Sequence, residues 1–186
     1  MLQKNYETPR LILLQSAPSL AAKTADYYSR NRDFFENIDP PRPPDFYTIK
    51  AQRRGLQRDL QDAKKMHALR FWLMLKGSDE IIGMTALNNI VFGSFCSCFL
   101  AYKLDLRFLR QGLTSEAISR VVRIAFDDLG LHRIEANIMP RNIPSLRLVE
   151  KLGFQNEGLA RQYLNINDVW EDHIHMTLLN QQEIVI

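Results

Sequence analysis

The sequence predicts one domain of mixed α+β structure: a mostly antiparallel central sheet that contains one parallel pair of strands and is flanked by helices. Three observations favour this fold class. With 186 residues, 46% of them hydrophobic and 24% charged, the chain has the size and composition of one globular domain. Short apolar runs alternate with helical patterns. Two of these runs are separated by a helix, and such a crossover connects parallel strands. No composition shift marks a boundary, so one domain is expected over residues 1–186.

The first third of the chain is expected to form one strand and two helices. An apolar run at residues 11–15 predicts the strand, and good helix formers occupy residues 20–30. Four prolines lie within residues 38–45, where they remove helical and ladder hydrogen bonds, so this segment is predicted to be a stiff exposed connection. The second helix covers residues 46–65, although Gly55 weakens it.

Three strands follow, at residues 69–75, 81–87 and 94–104, and the short links between them predict an antiparallel meander. The best-defined helix covers residues 113–129. Its apolar residues recur at helical spacing and form one buried stripe: Leu113, Ala117, Ile118, Val121, Ala125 and Leu129. A strand at 132–139, a helix capped by Asn142, and strands at 154–166 and 169–179 complete the expected order.

The segment between the third meander strand and helix 113–129 is the first candidate site. Gly112 permits a tight turn there, and the unpaired N–H groups and dipole of the following helix point back into the turn. Lys103, Arg107 and Arg110 surround it with positive charge. The segment is therefore either a pyrophosphate cradle or an ordinary strand-to-helix turn with solvated arginines.

Composition excludes several other functions. A net charge of +3 without a long basic run does not favour direct nucleic-acid binding. No apolar run approaches a membrane span, and the N-terminus lacks the apolar core of a signal peptide. Cys96 and Cys98, two residues apart in an expected strand, share one face, which suits neither a disulfide nor a metal site and indicates free thiols. A cytoplasmic protein without membrane or metal binding is expected.

Seven short segments, in this order and spacing, resemble the GNAT superfamily of N-acetyltransferases. They are TPRL at residues 8–11, IIG at 81–83, GSF at 93–95, LHRIEAN at 131–137, PRN at 140–142, KLGF at 151–154 and WEDH at 170–173. More narrowly, the chain is similar to the ribosomal-protein-alanine N-acetyltransferases, which acetylate the N-terminal amine of a ribosomal protein. The resemblance covers nearly the whole chain.

The resemblance implies acetyl-CoA as co-substrate. The residues that it places at the cofactor are Tyr102, Lys103, Leu104, Arg110, Gln111, Gly112, Leu113, Thr114, Ser115, Asn142 and Ser145. One departure stands out, because the family's loop has a glycine where this chain has Arg110. That side chain either narrows the cradle or places a guanidinium beside a phosphate. Tyr102 and Asn142 have equally simple structural roles, in core packing and in helix capping.

The resemblance also implies direct transfer of the acetyl group to an amine. Ser145 matches the acid that protonates the departing thiolate, although a serine in the first turn of a helix also serves as a cap. The glutamate that acts as base in some relatives aligns with Leu164, so that role does not carry over. Glu135 is the expected substitute, and Glu116 is a second candidate that suits the helix dipole better.

The acceptor amine is predicted to be a protein N-terminus. An α-amine has a pKa of about 7.7–8.0 and a lysine amine about 10.4, so an α-amine needs less help from a base at neutral pH. The proline-rich segment is either a linker or one wall of an acceptor groove with Phe34, Phe35, Phe46 and Tyr47. A small-molecule amine acceptor and a non-catalytic acyl-CoA-binding protein remain alternatives, and both monomer and homodimer remain open.

Overall fold

The structure is a computed structural model and describes residues 5–36 and 39–181. A single sheet of eight strands organises it. The strands are β1 (Asn5–Glu7), β2 (Leu11–Gln15), β3 (Leu69–Leu75), β4 (Ile81–Val91), β5 (Ser97–Leu104), β6 (Arg133–Ile138), β7 (Gln155–Ile166) and β8 (Val169–Leu179). The helices are α1 (Ala21–Arg30), α2 (Arg32–Glu36), α3 (Ile49–Lys64), α4 (Leu113–Arg123) and α5 (Ile143–Lys151).

The strand order is β1-β2-β3-β4-β5-β6-β8-β7, and β5 with β6 forms the parallel pair. The other neighbours run antiparallel. The parallel ladder begins at Ser97 opposite Arg133 and ends at Phe99 opposite Glu135, although both strands continue beyond it. The strands therefore separate toward their carboxyl ends, and the predicted fold class, with its one parallel pair, is confirmed.

Helices cover both faces of the sheet. We call the side that carries α4 and α5 the α4 face, and the side that carries α1 and α3 the α3 face. Strand β3 shows how the pleat divides its side chains: Phe71 and Leu73 pack in the core of the α4 face, whereas Trp72 packs in the core of the α3 face. Both sides of the central strands are thus buried, which explains their nearly continuous apolar sequences.

Several boundaries differ from the prediction. Strand β1 was not expected, because three residues are too few to show periodicity. The predicted strand 94–104 begins only at Ser97, since Cys96 has a left-handed backbone with φ of 44°. The two cysteines therefore do not share one strand face, although both are free thiols. The predicted helix 113–129 is α-helical to Arg123 and then π-helical over Ile124–Asp128.

The proline-rich segment has no regular structure over residues 39–43 and ends in a short 3-10 turn, Pro44–Tyr47. Ile38, at its start, lies outside the described residues. Asp39 is buried, unlike the prolines around it. Within residues 5–36 and 39–181, no helix is both long enough and apolar enough to cross a membrane.

Candidate active site

The turn before α4 has the geometry of an anion-binding site. Gly112 is the N-cap of α4 and adopts a left-handed backbone, with φ of 76°. The first hydrogen bond of the helix joins the N–H of Glu116 to the carbonyl of Gly112, at 3.1 Å. The three preceding N–H groups, from Leu113 to Ser115, consequently have no acceptor within the helix and point into the turn. Together with the helix dipole they favour a negatively charged ligand.

A buried carboxylate fixes the start of this turn. Asp105 accepts hydrogen bonds from the backbone N–H of Arg107 at 2.9 Å, from its Nε at 3.2 Å, and from Nε of Arg30 in α1 at 2.7 Å. Burial alone would raise the pKa of Asp105, but these hydrogen bonds outweigh it and hold the pKa well below its usual range. The hydrogen bond from Arg30 thereby ties the start of the turn to α1, which lies on the α3 face of the sheet.

Arg110 lies in the same turn with φ of 61°, in the left-handed region that glycine adopts most easily. The glycine that the resemblance places at this position therefore matches the backbone conformation, and the arginine keeps that conformation at a cost of about 1–2 kcal/mol.

We expect Arg110→Gly to stabilise the protein by about 0.5–1 kcal/mol, since the relief of backbone strain exceeds the added entropy of the unfolded chain. Urea unfolding measures this change. Arg110→Ala is the matched control, because it removes the guanidinium but keeps a side chain at positive φ, and it should give no such gain. Acetyl-CoA affinity should stay within about twofold in Arg110→Gly if backbone N–H groups dominate binding; a larger loss would show that the guanidinium contacts a phosphate.

A cavity of about 470 Å³ connects this turn with the N-terminus of α5. Every residue predicted at the cofactor lines it except Gln111, whose side chain instead donates to the carbonyl of Arg107 at 3.3 Å. The other lining residues are largely apolar: Phe34, Phe35, Phe108, Leu109, Pro144 and Leu148. An anion site joined to an apolar channel suits acetyl-CoA, which carries a pyrophosphate on a flexible arm. We call this the cofactor cavity.

Two hydroxyl groups meet inside the cofactor cavity. Tyr102 in β5 and Ser145 in α5 are hydrogen-bonded to each other, with either oxygen as the donor. Burial raises the pKa of Tyr102 to about 12, although the bond to Ser145 partly opposes the shift. Tyr102 is therefore protonated near neutral pH, and each of the two hydroxyl groups carries a proton that it can donate. Asn142 accepts from the N–H of Ser145 at 3.3 Å, so its predicted capping role is confirmed.

The two candidate bases do not line the cofactor cavity. Glu116 accepts hydrogen bonds from the backbone N–H of Arg10 at 2.8 Å and from its Nε at 2.7 Å, and so ties the start of β2 to α4. Glu135 is ion-paired with Arg133 at 2.7 Å and projects to the α3 face, because its neighbours Ile134 and Ala136 fill the core of the α4 face. The catalytic role of Glu135 thus has no geometric support at the hydroxyl pair.

A sequence profile of the acetyltransferase (GNAT) domain matches residues 10–155, more than half of the chain. The chain belongs to the GNAT family. The "Probable N-acetyltransferase YjcK" of Bacillus subtilis (strain 168) is 40% identical over 155 residues, which cover 83% of this chain and 86% of that protein. The "[Ribosomal protein uS5]-alanine N-acetyltransferase" of Escherichia coli (strain K12) is 34% identical over 167 residues, covering 90% of this chain and 86% of the relative.

The fold comparison agrees. The solved structure of a ribosomal-protein-S5-alanine acetyltransferase from Vibrio fischeri superimposes with a TM-score of 0.91 at 30% identity, covering 97% of this chain and 98% of that one. The protein is therefore an acetyl-CoA-dependent N-acetyltransferase of the GNAT family, in the group that contains the ribosomal-protein-alanine enzymes. Its predicted family and enzyme class are confirmed.

A second cavity, of about 520 Å³, lies on the α3 face between α3 and the central strands. Lys103 lines both cavities, so the two adjoin at β5. Of the four aromatic residues predicted to form one acceptor groove, Phe46 lines the second cavity, Phe34 and Phe35 line the cofactor cavity, and Tyr47 lines neither. We call this second space the α3 cavity.

Proposed function

We propose that this GNAT enzyme acetylates a protein α-amine, with the N-terminal alanine of a ribosomal protein as the acceptor. The observation that carries the proposal is the cofactor cavity, which joins the N-terminus of α4 to the hydroxyl pair of Tyr102 and Ser145. The names of the E. coli and V. fischeri relatives, at 34% and 30% identity, support this acceptor class.

The residues of the cavity have separable tasks. Acetyl-CoA supplies the acetyl group as a thioester. The N–H groups of Leu113, Thr114 and Ser115 would bind its pyrophosphate, and Arg110 lines the cavity beside them. The apolar residues of the cavity would exclude water from the flexible arm. Holding two reactants together in this way lowers a barrier by roughly 7–11 kcal/mol, so binding accounts for much of the rate.

Proton transfer then involves both reactants. As the bond forms between the amine nitrogen and the carbonyl carbon, the carbon–sulfur bond breaks, and the departing sulfur takes a proton from Oγ of Ser145 or from the hydroxyl of Tyr102. The amine releases its own proton to solvent, and the donor hydroxyl regains a proton from solvent. Deprotonating an α-amine at pH 7 costs roughly 1 kcal/mol, against about 4–5 kcal/mol for lysine. An α-amine acceptor therefore fits a cavity whose polar centre is a pair of hydroxyls.

Removing the hydroxyl pair should slow chemistry without weakening cofactor binding. Because each hydroxyl can partly replace the other as donor, we expect Ser145→Ala and Tyr102→Phe each to lower kcat by only about 10-fold and the double variant by more than about 100-fold. The KM for acetyl-CoA should change little. Both constants are obtained from the initial rates at which the free thiol of CoA is released. Ser119→Ala, on the exposed side of α4, is the control. An unchanged kcat in the double variant would exclude the pair as the proton donor.

Acceptor class is tested with thiol release and peptide mass spectrometry. Peptides that begin with alanine or serine should gain one acetyl group, and the same peptides with a blocked N-terminus should not. Turnover of polyamines or amino sugars in place of peptides would assign a small-molecule acceptor. Binding of acetyl-CoA without turnover of any amine would leave a non-catalytic binding protein. N-terminal mass spectrometry of the host's ribosomal proteins, with and without the gene, identifies the acceptor itself.

A further inference from the structure

Three cationic side chains from distant parts of the sequence line the α3 cavity. Arg42 comes from the proline-rich segment, Arg70 from β3 and Lys103 from β5. Their side chains are only 34%, 32% and 20% exposed, respectively. We call these three residues the cation cluster. Such partly buried positive charges are costly unless carboxylates neutralise them.

Only two carboxylates are paired with the cation cluster among the described residues. Asp39 accepts hydrogen bonds from both Lys103 and Arg42, the latter at 3.3 Å. Asp59 lies 3.3 Å from Nη1 of Arg70. The other charged residues of the cavity balance each other, Arg54 and Arg58 against Asp45 and Asp62. Counted over the described residues, one positive charge in and beside the cavity is therefore left over.

Two further observations indicate that protein groups do not fully satisfy the cation cluster. Nε of Arg70 is fully buried and has no hydrogen-bond acceptor among the described residues. Burial lowers the pKa of Lys103; Arg42 and Arg70 lower it further, while Asp39 opposes the shift. The cation cluster is therefore close enough for its members to repel one another, and a buried N–H donor remains without a partner.

We propose that the cation cluster binds a carboxylate side chain of the acceptor polypeptide, so that this enzyme prefers protein N-termini with Asp or Glu shortly after the first residue. The proposal rests on the proposed protein acceptor and names its chemistry. Arginine suits this task because its planar guanidinium binds carboxylates through paired hydrogen bonds.

The position of Lys103 indicates how far the carboxylate lies from the amine. Tyr102 and Lys103 are consecutive in β5 and point to opposite faces, Tyr102 to Ser145 and Lys103 to Asp39. The cation cluster therefore begins one residue from Tyr102 along β5, on the opposite face of the sheet, and Lys103 lines both cavities. An extended chain advances about 3.3 Å per residue, so an acidic side chain within roughly the first four residues would reach it.

Peptides that differ in one charge test the proposal. Each begins with alanine and carries Glu, Gln or Lys at position 2, 3 or 4, and kcat/KM is measured by thiol release. At one position, we expect kcat/KM for the Glu peptide to exceed that for the Gln peptide by about 10-fold or more, which is the effect of one charge-assisted hydrogen bond. The Lys peptide should have a lower kcat/KM than the Gln peptide. Equal kcat/KM for Glu and Gln at all three positions would overturn the proposal and leave the proposed function intact.

Variants assign the preference to the cluster. In Arg42→Gln and in Arg70→Gln, the ratio of kcat/KM for the Glu peptide to kcat/KM for the Gln peptide should fall to about 1–3, while turnover of the Gln peptide continues. Arg123→Gln, an exposed arginine on α4, carries the same loss of charge and should keep the wild-type ratio. Arg42 lies in an irregular segment, so its variant remains informative if Arg70→Gln fails to fold. A full preference in Arg42→Gln would contradict the assignment.

Failure of the proposed function gives a different result. If acetyl-CoA binds but no alanine peptide of any charge is acetylated, the protein acceptor is wrong, and the peptide-binding role of the cation cluster falls with it. If a phosphorylated small amine is turned over and peptides are not, the cluster serves a different acceptor class, and the carboxylate proposal is overturned.

Discussion

Replacing Gly112 by aspartate is expected to weaken acetyl-CoA binding by about 30-fold or more while the protein stays folded. A carboxylate about 4 Å from a phosphate is repelled by roughly 4 kcal/mol near a protein surface, and the nearby Arg10 would screen part of this. A Cβ at Gly112 would come no closer than 3.5 Å to any other side chain, the Nη2 of Arg10, so there is room for the substitution. Isothermal titration with acetyl-CoA measures the loss.

Gly112→Asn separates charge from backbone strain. Asparagine has nearly the shape of aspartate and shares its tolerance of the left-handed region, but it is neutral. Both variants should lose a similar amount of stability, about 1 kcal/mol, because both keep φ near 76°. Only the Gly112→Asp variant should lose most of its affinity for acetyl-CoA. If the two variants bind acetyl-CoA equally, the turn before α4 does not hold the pyrophosphate.

Sequence was sufficient for features that depend on local pattern. The start of α4 at Leu113 follows from the apolar stripe and the preceding glycine. The parallel pairing of β5 and β6 follows from the helical crossover between them. These features depend on neighbouring residues or on simple connection rules, so one amino-acid sequence is enough to predict them.

Contacts between distant residues could not be predicted in this way. Tyr102 and Ser145 are 43 positions apart, and no spacing rule brings their hydroxyls together. The cation cluster combines residues 42, 70 and 103, which the fold alone makes neighbours. Strand β1 shows another limit, because its three residues bury one side chain and show no periodicity.

A structural role for Glu135 could have been expected from the sequence. Arg133 and Glu135 are two positions apart in a predicted strand, so their side chains had to share a face and were placed to form an ion pair. The same alternation puts Glu135 on the face opposite Ile134 and Ala136, two apolar residues that are buried in the core. The sequence thus contained a reason to expect a structural role for Glu135, and the family resemblance obscured it.

Asp105→Ala should have the largest effect on stability, lowering the free energy of unfolding by about 3 kcal/mol. Breaking a buried ion pair costs about 3–5 kcal/mol. The low end applies because Arg30 keeps Asp26 and Glu80 as partners. In a chain of this length the loss corresponds to a fall in Tm of about 6–12 °C. Asp79→Ala is the control, since Asp79 is 86% exposed in its pair with Lys23 and should change stability by less than about 1 kcal/mol.

The pH dependence of this loss distinguishes the charge of Asp105 from its packing. The pKa of Asp105 is lower in the folded protein than in the unfolded chain, so its ionised form stabilises the fold at neutral pH. As pH falls below the unfolded pKa, about 3.9, the unfolded chain takes up the proton first and this stabilisation decreases. The stability difference between wild type and Asp105→Ala should therefore shrink steadily below about pH 4. A difference that stays constant down to pH 2.5 would show that Asp105 acts through packing, and that the turn before α4 is not held by charge.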